Sequence, residues 1–149
     1  MIKYTLRTAQ DADEGKIKDL IHRMGINPFG LDWRHFIVAE TAAGQFVGCG
    51  QLKPHRDGSM ELASIAVEEP HRGQGVARMI IEQLLASSPR PLYLTCRANL
   101  RQLYGKFGFE VVGTERLPPF FRSIRLIFRL VKYLSRREQG LIMRLGPPA

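Results

Sequence analysis

The sequence predicts a mixed-sheet α/β fold: an antiparallel meander of strands, a parallel β-α-β unit, and an amphipathic helix inserted before the last strand. Three observations predict it. Short alternating apolar runs in the first half are separated by tight-turn pairs at Ala43-Gly44 and Asp57-Gly58. The alternating run ending at Val67 passes through a polar, glycine-containing loop straight into a helical repeat and then a short apolar strand, the order of a parallel crossover. The stretch from Pro119 to Glu138 repeats apolar and basic residues at helical spacing.

The elements follow in order. Lys3–Thr8 alternates as a first strand. Asp11 is an N-cap candidate for a helix whose stripe is Ile17, Leu20, Ile21 and Met24, stopped by Gly25. An irregular stretch with Pro28 and Gly30 leads to strands over Phe36–Thr41, Gln45–Lys53 and Met60–Val67. A helix over Gly75–Ser87 carries Val76, Met79, Ile80, Leu84 and Leu85 inward and ends before Pro89 and Pro91. Strand Leu92–Arg97, a short helix Asn99–Phe107 closed by Gly108, strand Phe109–Glu115, the basic helix and strand Gly140–Leu145 complete the chain. With 149 residues and no linker or repeat, residues 1–149 read as one domain.

Composition narrows the class. A hydrophobic fraction of 44% with 24% charged residues describes a globular chain. The opening MIKYTLRTAQDADE has no apolar signal-peptide core, and no run approaches the roughly 20 residues of a membrane span. Cys49 and Cys96 have neither disulfide-framework nor metal-ligand spacing, so a cytoplasmic setting and no metal are expected. Of the net charge of +8, residues 119–138 carry +5. The basicity is therefore one surface, and with no recognition motif nucleic acid is not an expected partner.

The loop Arg72-Gly73-Gln74-Gly75-Val76-Ala77 lies between a strand and a helix start. Glycines there allow a tight turn that points successive N–H groups outward at the positive end of the helix dipole, a place for an anion such as phosphate; a plain tight turn explains the same two residues. It is neither of two common phosphate loops: G-x-x-x-x-G-K-S/T is absent, and Arg78 replaces the third glycine of G-x-G-x-x-G.

The whole pattern resembles the GNAT superfamily of acyl-CoA-dependent N-acyltransferases. It comprises ELASIAV, HRGQGVA opening a helix, PLYLTCR, and a helix ending Tyr104-Gly105-Lys106-Phe107-Gly108-Phe109. The family signature Q/R-x-x-G-x-G/A is met by Arg72, Gly75 and Ala77, and the likeness runs from Ile2 to Leu145. It implies a GNAT-like fold and an N-acetyltransferase that passes the acetyl group of acetyl-CoA directly to an amine. The pyrophosphate would rest on the backbone of Arg72, Gly73, Gln74, Gly75, Val76 and Ala77. The pantetheine arm would run along Ile65, Ala66 and Val67, where a backbone N–H could face the thioester carbonyl.

In that family a tyrosine placed as Tyr104 protonates the departing thiolate. A phenol of pKa about 10 can serve a thiol of about 8.5. Asn99 is a pantetheine contact by the same resemblance, although it precedes Tyr104 by five residues where the family has seven; a capping role is the other reading. The resemblance places a carboxylate base at Glu61, with Glu40, His35 or water as alternatives. Cys96 reads as core packing rather than a nucleophile. The variable acceptor-framing stretch holds Phe29, Asp32, Trp33 and His35, with Trp33 either lining a pocket or plugging the core edge.

The insertion at 119–138 departs from the family, which joins its last two strands by a short hairpin. Phe120, Phe121, Ile124, Ile127, Phe128, Leu130, Val131 and Leu134 share one side, and Arg122, Arg125, Arg129, Lys132 and Arg136 the other. A cover over the sheet, a homodimer contact, a membrane-surface helix or a lid over an acidic acceptor each fit Phe120–Leu134. The partners expected are a small-molecule or peptide amine and a membrane surface or second copy. The alternative function is a non-catalytic acyl-CoA-binding or sensing domain that docks through this helix.

Overall fold

The structure is a computed structural model that describes residues 3–135 and 140–147, without the side chains of 132–135. The readings placed on Ile2, Lys132, Leu134, Arg136 and Glu138 involve residues or side chains outside that description.

In chain order the elements are β1 (Tyr4–Thr8), α1 (Glu14–Arg23), β2 (Phe36–Thr41), β3 (Phe46–Pro54), β4 (Met60–Val67), α2 (Val76–Ser87), β5 (Leu92–Arg97), α3 (Arg101–Gly105), β6 (Glu110–Val111), α4 (Pro119–Ser135) and β7 (Gly140–Leu145). The chain divides into two compact units. One comprises residues 1–53 and 62–88, the other 54–61 and 89–149. Sheet order is β1-β2-β3-β4 in the first and β4-β5-β7-β6 in the second, β4 contributing to both.

In the first unit, β1 and β2 pair antiparallel from Tyr4 opposite Thr41 to Thr8 opposite Ile37. The stripe of α1 (Ile17, Leu20 and Ile21, all essentially inaccessible) packs with Phe36, Val38, Cys49 and Ala66. The α2 stripe is Val76, Ile80, Ile81 and Leu84. It lies close because β3 offers Gly50, where a Cβ would stand 2.6 Å from both Ile65 Cδ1 and Ile80 Cγ2. Any side chain there must displace Ile65, Ile80 or Leu84 from their packing.

The start of α1 differs from expectation. Asp11–Asp13 form a 3-10 turn, and Asp13, not Asp11, anchors it. Asp13 accepts from the Gln10 N–H at 2.7 Å and from Arg7 Nη1 and Nη2 at 2.7 and 2.9 Å, with its side chain only 6% exposed. The Arg7 hydrogen bonds hold this carboxyl below its usual range, helped by the Gln10 N–H and opposed by burial. A carboxyl depressed on folding stabilises the protein above its unfolded pKa of about 4, and that stabilisation is lost as pH falls through the folded value. Asp13→Asn is therefore expected to cost about 1.5–3 kcal/mol at neutral pH. The gap to wild type, read from urea unfolding, closes below about pH 4.

In the second unit, β5 and β7 pair antiparallel from Leu92 opposite Leu145 to Arg97 opposite Gly140. β6 adds only two residues, because Gly113 turns the chain into a 3-10 turn at Thr114–Arg116, well short of the expected strand end at Glu115. Pro119 opens α4, where the missing N–H costs nothing. Phe121 is fully buried and stacks on Tyr93 at 4.9 Å between ring centroids. Phe120, Ile124 and Phe128 pack on the same cluster with Val112, Leu117 and Ile142. Arg122 Nε and Arg125 Nη2 donate to the carbonyls of Leu117 and Val112, fastening the first turns. Ile127, Leu130 and Val131, which periodicity puts on the same apolar side, are 53%, 58% and 45% exposed, so that side is covered only in part.

Candidate active site

In the first unit the site grows from β4. Ser64 sits inside that strand with φ of 59°, a left-handed conformation rare for a side-chain-bearing residue. It is held by neighbours: Gln51 Nε2 donates to its Oγ at 2.9 Å, and the Cys49 thiol faces its carbonyl at 3.7 Å. Gln51 Oε1 stays buried without a partner among the described residues. The irregularity immediately precedes Ile65, Ala66 and Val67.

Beyond Val67 the loop is pinned at both ends and open in the middle. Arg72 Nε donates back to the Val67 carbonyl at 3.1 Å. The Tyr4 hydroxyl donates to Gln74 Oε1 at 2.9 Å and lies 2.8 Å from His71 Nδ1. Gly73 and Gly75 take φ of 76° and 84°, and a Cβ on either would meet nothing within 4 Å. Among the described residues no hydrogen bond uses the N–H of Gly73, Gln74 or Gly75. Val76 and Ala77 then open α2 with the positive end of its dipole. A pinned loop presenting unused N–H groups into open space at a helix start is a cradle for an anion, and it fits a pyrophosphate.

In the second unit Glu61 pairs in parallel register with Tyr93. Its Oε1 lies 2.9 Å from His55 Nε2, with side chains 10% and 8% exposed. A carboxylate only accepts, so Nε2 carries the proton in this bond. The imidazole is stacked by Phe120 at 3.6 Å and met edge-on by Phe121. The Phe120 N–H donates to Asp57, so the tip of the His55–Ser59 turn and the start of α4 hold the pair from two sides. Sequence reading missed His55. The signal existed, because an antiparallel hairpin centred on Asp57 sets residues 53 and 61 opposite, leaving 55 diagonal to Glu61.

Tyr104 closes α3 with its ring edge-on to Phe109, 6.2 Å between centroids. Burial, helped by the nearby Cys96 thiol, pushes its phenol up to about 12. Cys96 itself is raised by burial, and Cys49 is pushed to about 12 the same way, so neither is poised as a thiolate. Asn99 lies exposed in the 3-10 turn Ala98–Leu100 and caps nothing. Glu40 is taken up by Arg7 Nε at 3.1 Å. His35 ends the 3-10 turn Trp33–His35, and Trp33 packs half-buried against the core, plugging its edge. No three His, Cys, Asp or Glu among the described residues gather to hold a metal.

A strand, an open anion loop and a helix start form a seat for a phosphate-bearing cofactor, as acyl-CoA-dependent acyltransferases require. The model of the acetyltransferase (GNAT) domain matches residues 32–111, more than half of the chain, and the protein belongs to that family. No curated protein sequence matches it. Among solved structures it is similar to Rv2747 from Mycobacterium tuberculosis, in complex with CoA (20% identity, TM-score 0.73, 97% of this chain and 99% of that one). It is similar to N-acetylglutamate synthase from Neisseria gonorrhoeae, complexed with coenzyme A and L-arginine (18%, TM-score 0.72, 97% of this chain but 34% of that one). Diaminobutyrate acetyltransferase EctA from Paenibacillus lautus, in complex with its substrate and coenzyme A, shares 18% identity over 99% and 96% of the two chains with a TM-score of 0.67. These likenesses are of fold.

Proposed function

We propose that the protein transfers the acetyl group of acetyl-CoA directly to an amine, without a covalent enzyme intermediate. The observation that carries this reading is the Gly73–Gly75 loop, whose N–H groups have no partner among the described residues and whose glycines face open space there. Arg72 to Ala77 bind the pyrophosphate through backbone N–H groups, while the Arg72 and Gln74 side chains keep the loop in shape. Ile65, Ala66 and Val67 hold the pantetheine arm by strand-like bonds, and Asn99, with its side chain uncommitted, is a further contact. The thioester supplies an activated acyl group when bound.

Glu61 takes the proton released as the amine nitrogen bonds to the acyl carbon, and His55 keeps that carboxylate aimed. Tyr104 holds a proton for the sulfur as the carbon–sulfur bond breaks. The proton count balances: one leaves the amine to Glu61 and one leaves Tyr104 to the thiolate. The acceptor in this reading is a small-molecule or peptide amine, as in relatives whose names specify diaminobutyrate or the alanine of ribosomal protein S18. In this reading the basic segment 119–138 disfavours polycationic acceptors that approach along it. Two free cysteines suit a reducing, cytoplasmic setting.

Calorimetric titration with acetyl-CoA, CoA and dephospho-CoA tests the loop. Saturable binding of the first two is expected, and its absence overturns the reading. Glu61→Gln is expected to lower turnover by about 100-fold with acetyl-CoA affinity unchanged. A variant that turns over normally removes Glu61 as the base. The second reading, a non-catalytic acyl-CoA-binding domain docked through α4, draws on the exposed side of that helix. It is distinguished by binding without acetylation of any amine.

A further inference from the structure

Helix α4 has more apolar surface than its own unit covers. Phe120, Phe121, Ile124 and Phe128 turn to the core, whereas Leu126, Ile127 and Leu130 stand 65%, 53% and 58% exposed. At 100° per residue these three fill the arc beside Arg122 and Arg129, both exposed. The helix sequence PFFRSIRLIFRLVKYLS contains no acid, and no ion pair among the described residues involves its arginines. An uncovered aliphatic stripe edged by unneutralised cations needs an occupant that is both apolar and negative.

A second copy meets only half of that requirement. The stripe offers roughly 300 Å², comparable with the largest apolar patch on an ordinary monomer. Two such stripes face to face bury roughly 600 Å², well below the about 1,200 Å² of a stable interface. The pairing also opposes two chains of net charge +8. A lipid surface has no such area threshold, and its anionic headgroups match the arginines. No helix among the described residues is long and apolar enough to cross a membrane, so the contact is in-plane.

We propose that α4 docks the protein on an anionic lipid surface. Leu126, Ile127 and Leu130 enter the headgroup–acyl boundary, and Arg122 and Arg129 lie among the phosphates. This inference stands whether or not the acetyl-transfer reading holds.

The test is flotation of the full chain with phosphatidylcholine vesicles, with and without phosphatidylserine, at low and high salt. Co-flotation with the phosphatidylserine vesicles alone, falling as salt rises, is the expected result. Leu126→Ser combined with Leu130→Ser, and separately Arg129→Glu, should each weaken it by about tenfold or more. Unchanged circular dichroism and acetyl-CoA titration show that both variants remain folded. Failure to float, equal binding to neutral vesicles, or binding untouched by the substitutions overturns the proposal. So does a wild-type dimer in sedimentation that the double leucine variant converts to monomer, because a second copy then covers the stripe.

Discussion

Gly75→Glu is expected to weaken acetyl-CoA binding by at least about 100-fold, a loss of about 2.7 kcal/mol. The backbone at Gly75 has φ of 84°, so any side chain there costs about 1–2 kcal/mol of folding strain. That strain is shared by Gly75→Ala, which is expected to lower the melting temperature by a few degrees, as glutamate does. What separates the two is the ligand. Apart from its chain neighbours, a Cβ at Gly75 meets no atom of the described residues within 4 Å, so a clash that appears only on binding must come from the molecule seated there. Glutamate adds a negative charge where the bound group is itself anionic, and affinity falls by far more than strain explains. Equal affinities in the alanine and glutamate variants would place the pyrophosphate elsewhere.

This loop was legible in the sequence because nothing but backbone conformation explains two glycines between a strand and a helix. The meander and the α2 crossover were legible for a similar reason, since turn pairs and a change of period mark them locally. Residues whose role depends on a distant neighbour were harder. Asp11 has the better capping position, yet Asp13 does the anchoring because Arg7, six residues upstream on β1, reaches it. Ser64 shows no signature, as its left-handed turn is sustained by Gln51 from the neighbouring strand.

The basic helix illustrates a different limit. Periodicity showed which of its residues are apolar, and that part holds: Phe121 is buried and Ile124 and Phe128 pack beside it. What periodicity leaves open is how much surface stands opposite. Phe120 and Phe121 are consumed by His55 and Tyr93, and the stripe running on through Ile127 and Leu130 meets no equivalent cover. The helix that reads as an insertion in sequence thus supports Glu61, the candidate base, through His55. Truncating α4 at its first turn should disturb catalysis even if the cofactor loop is untouched.

Tyr104→Phe is expected to lower turnover by about 100-fold while leaving acetyl-CoA affinity and the melting temperature close to wild type. Phenylalanine keeps the ring that packs on Phe109 and removes only the hydroxyl. The pH profile adds a check. With the phenol pushed up to about 12, its protonated form prevails at all lower pH, so it stays loaded as an acid across the neutral and alkaline range. Wild-type turnover should therefore rise as the acceptor amine deprotonates and then hold level, without the alkaline fall near pH 10 of an unshifted tyrosine. A phenol at 12 is a weaker acid than a free thiol of about 8.5. The burial that raises the phenol also disfavours a naked thiolate in the same surroundings, which narrows the gap as the sulfur departs. Turnover unchanged in the phenylalanine variant would remove Tyr104 as the acid; an alkaline limb near pH 10 that vanishes in it would show the phenol unshifted.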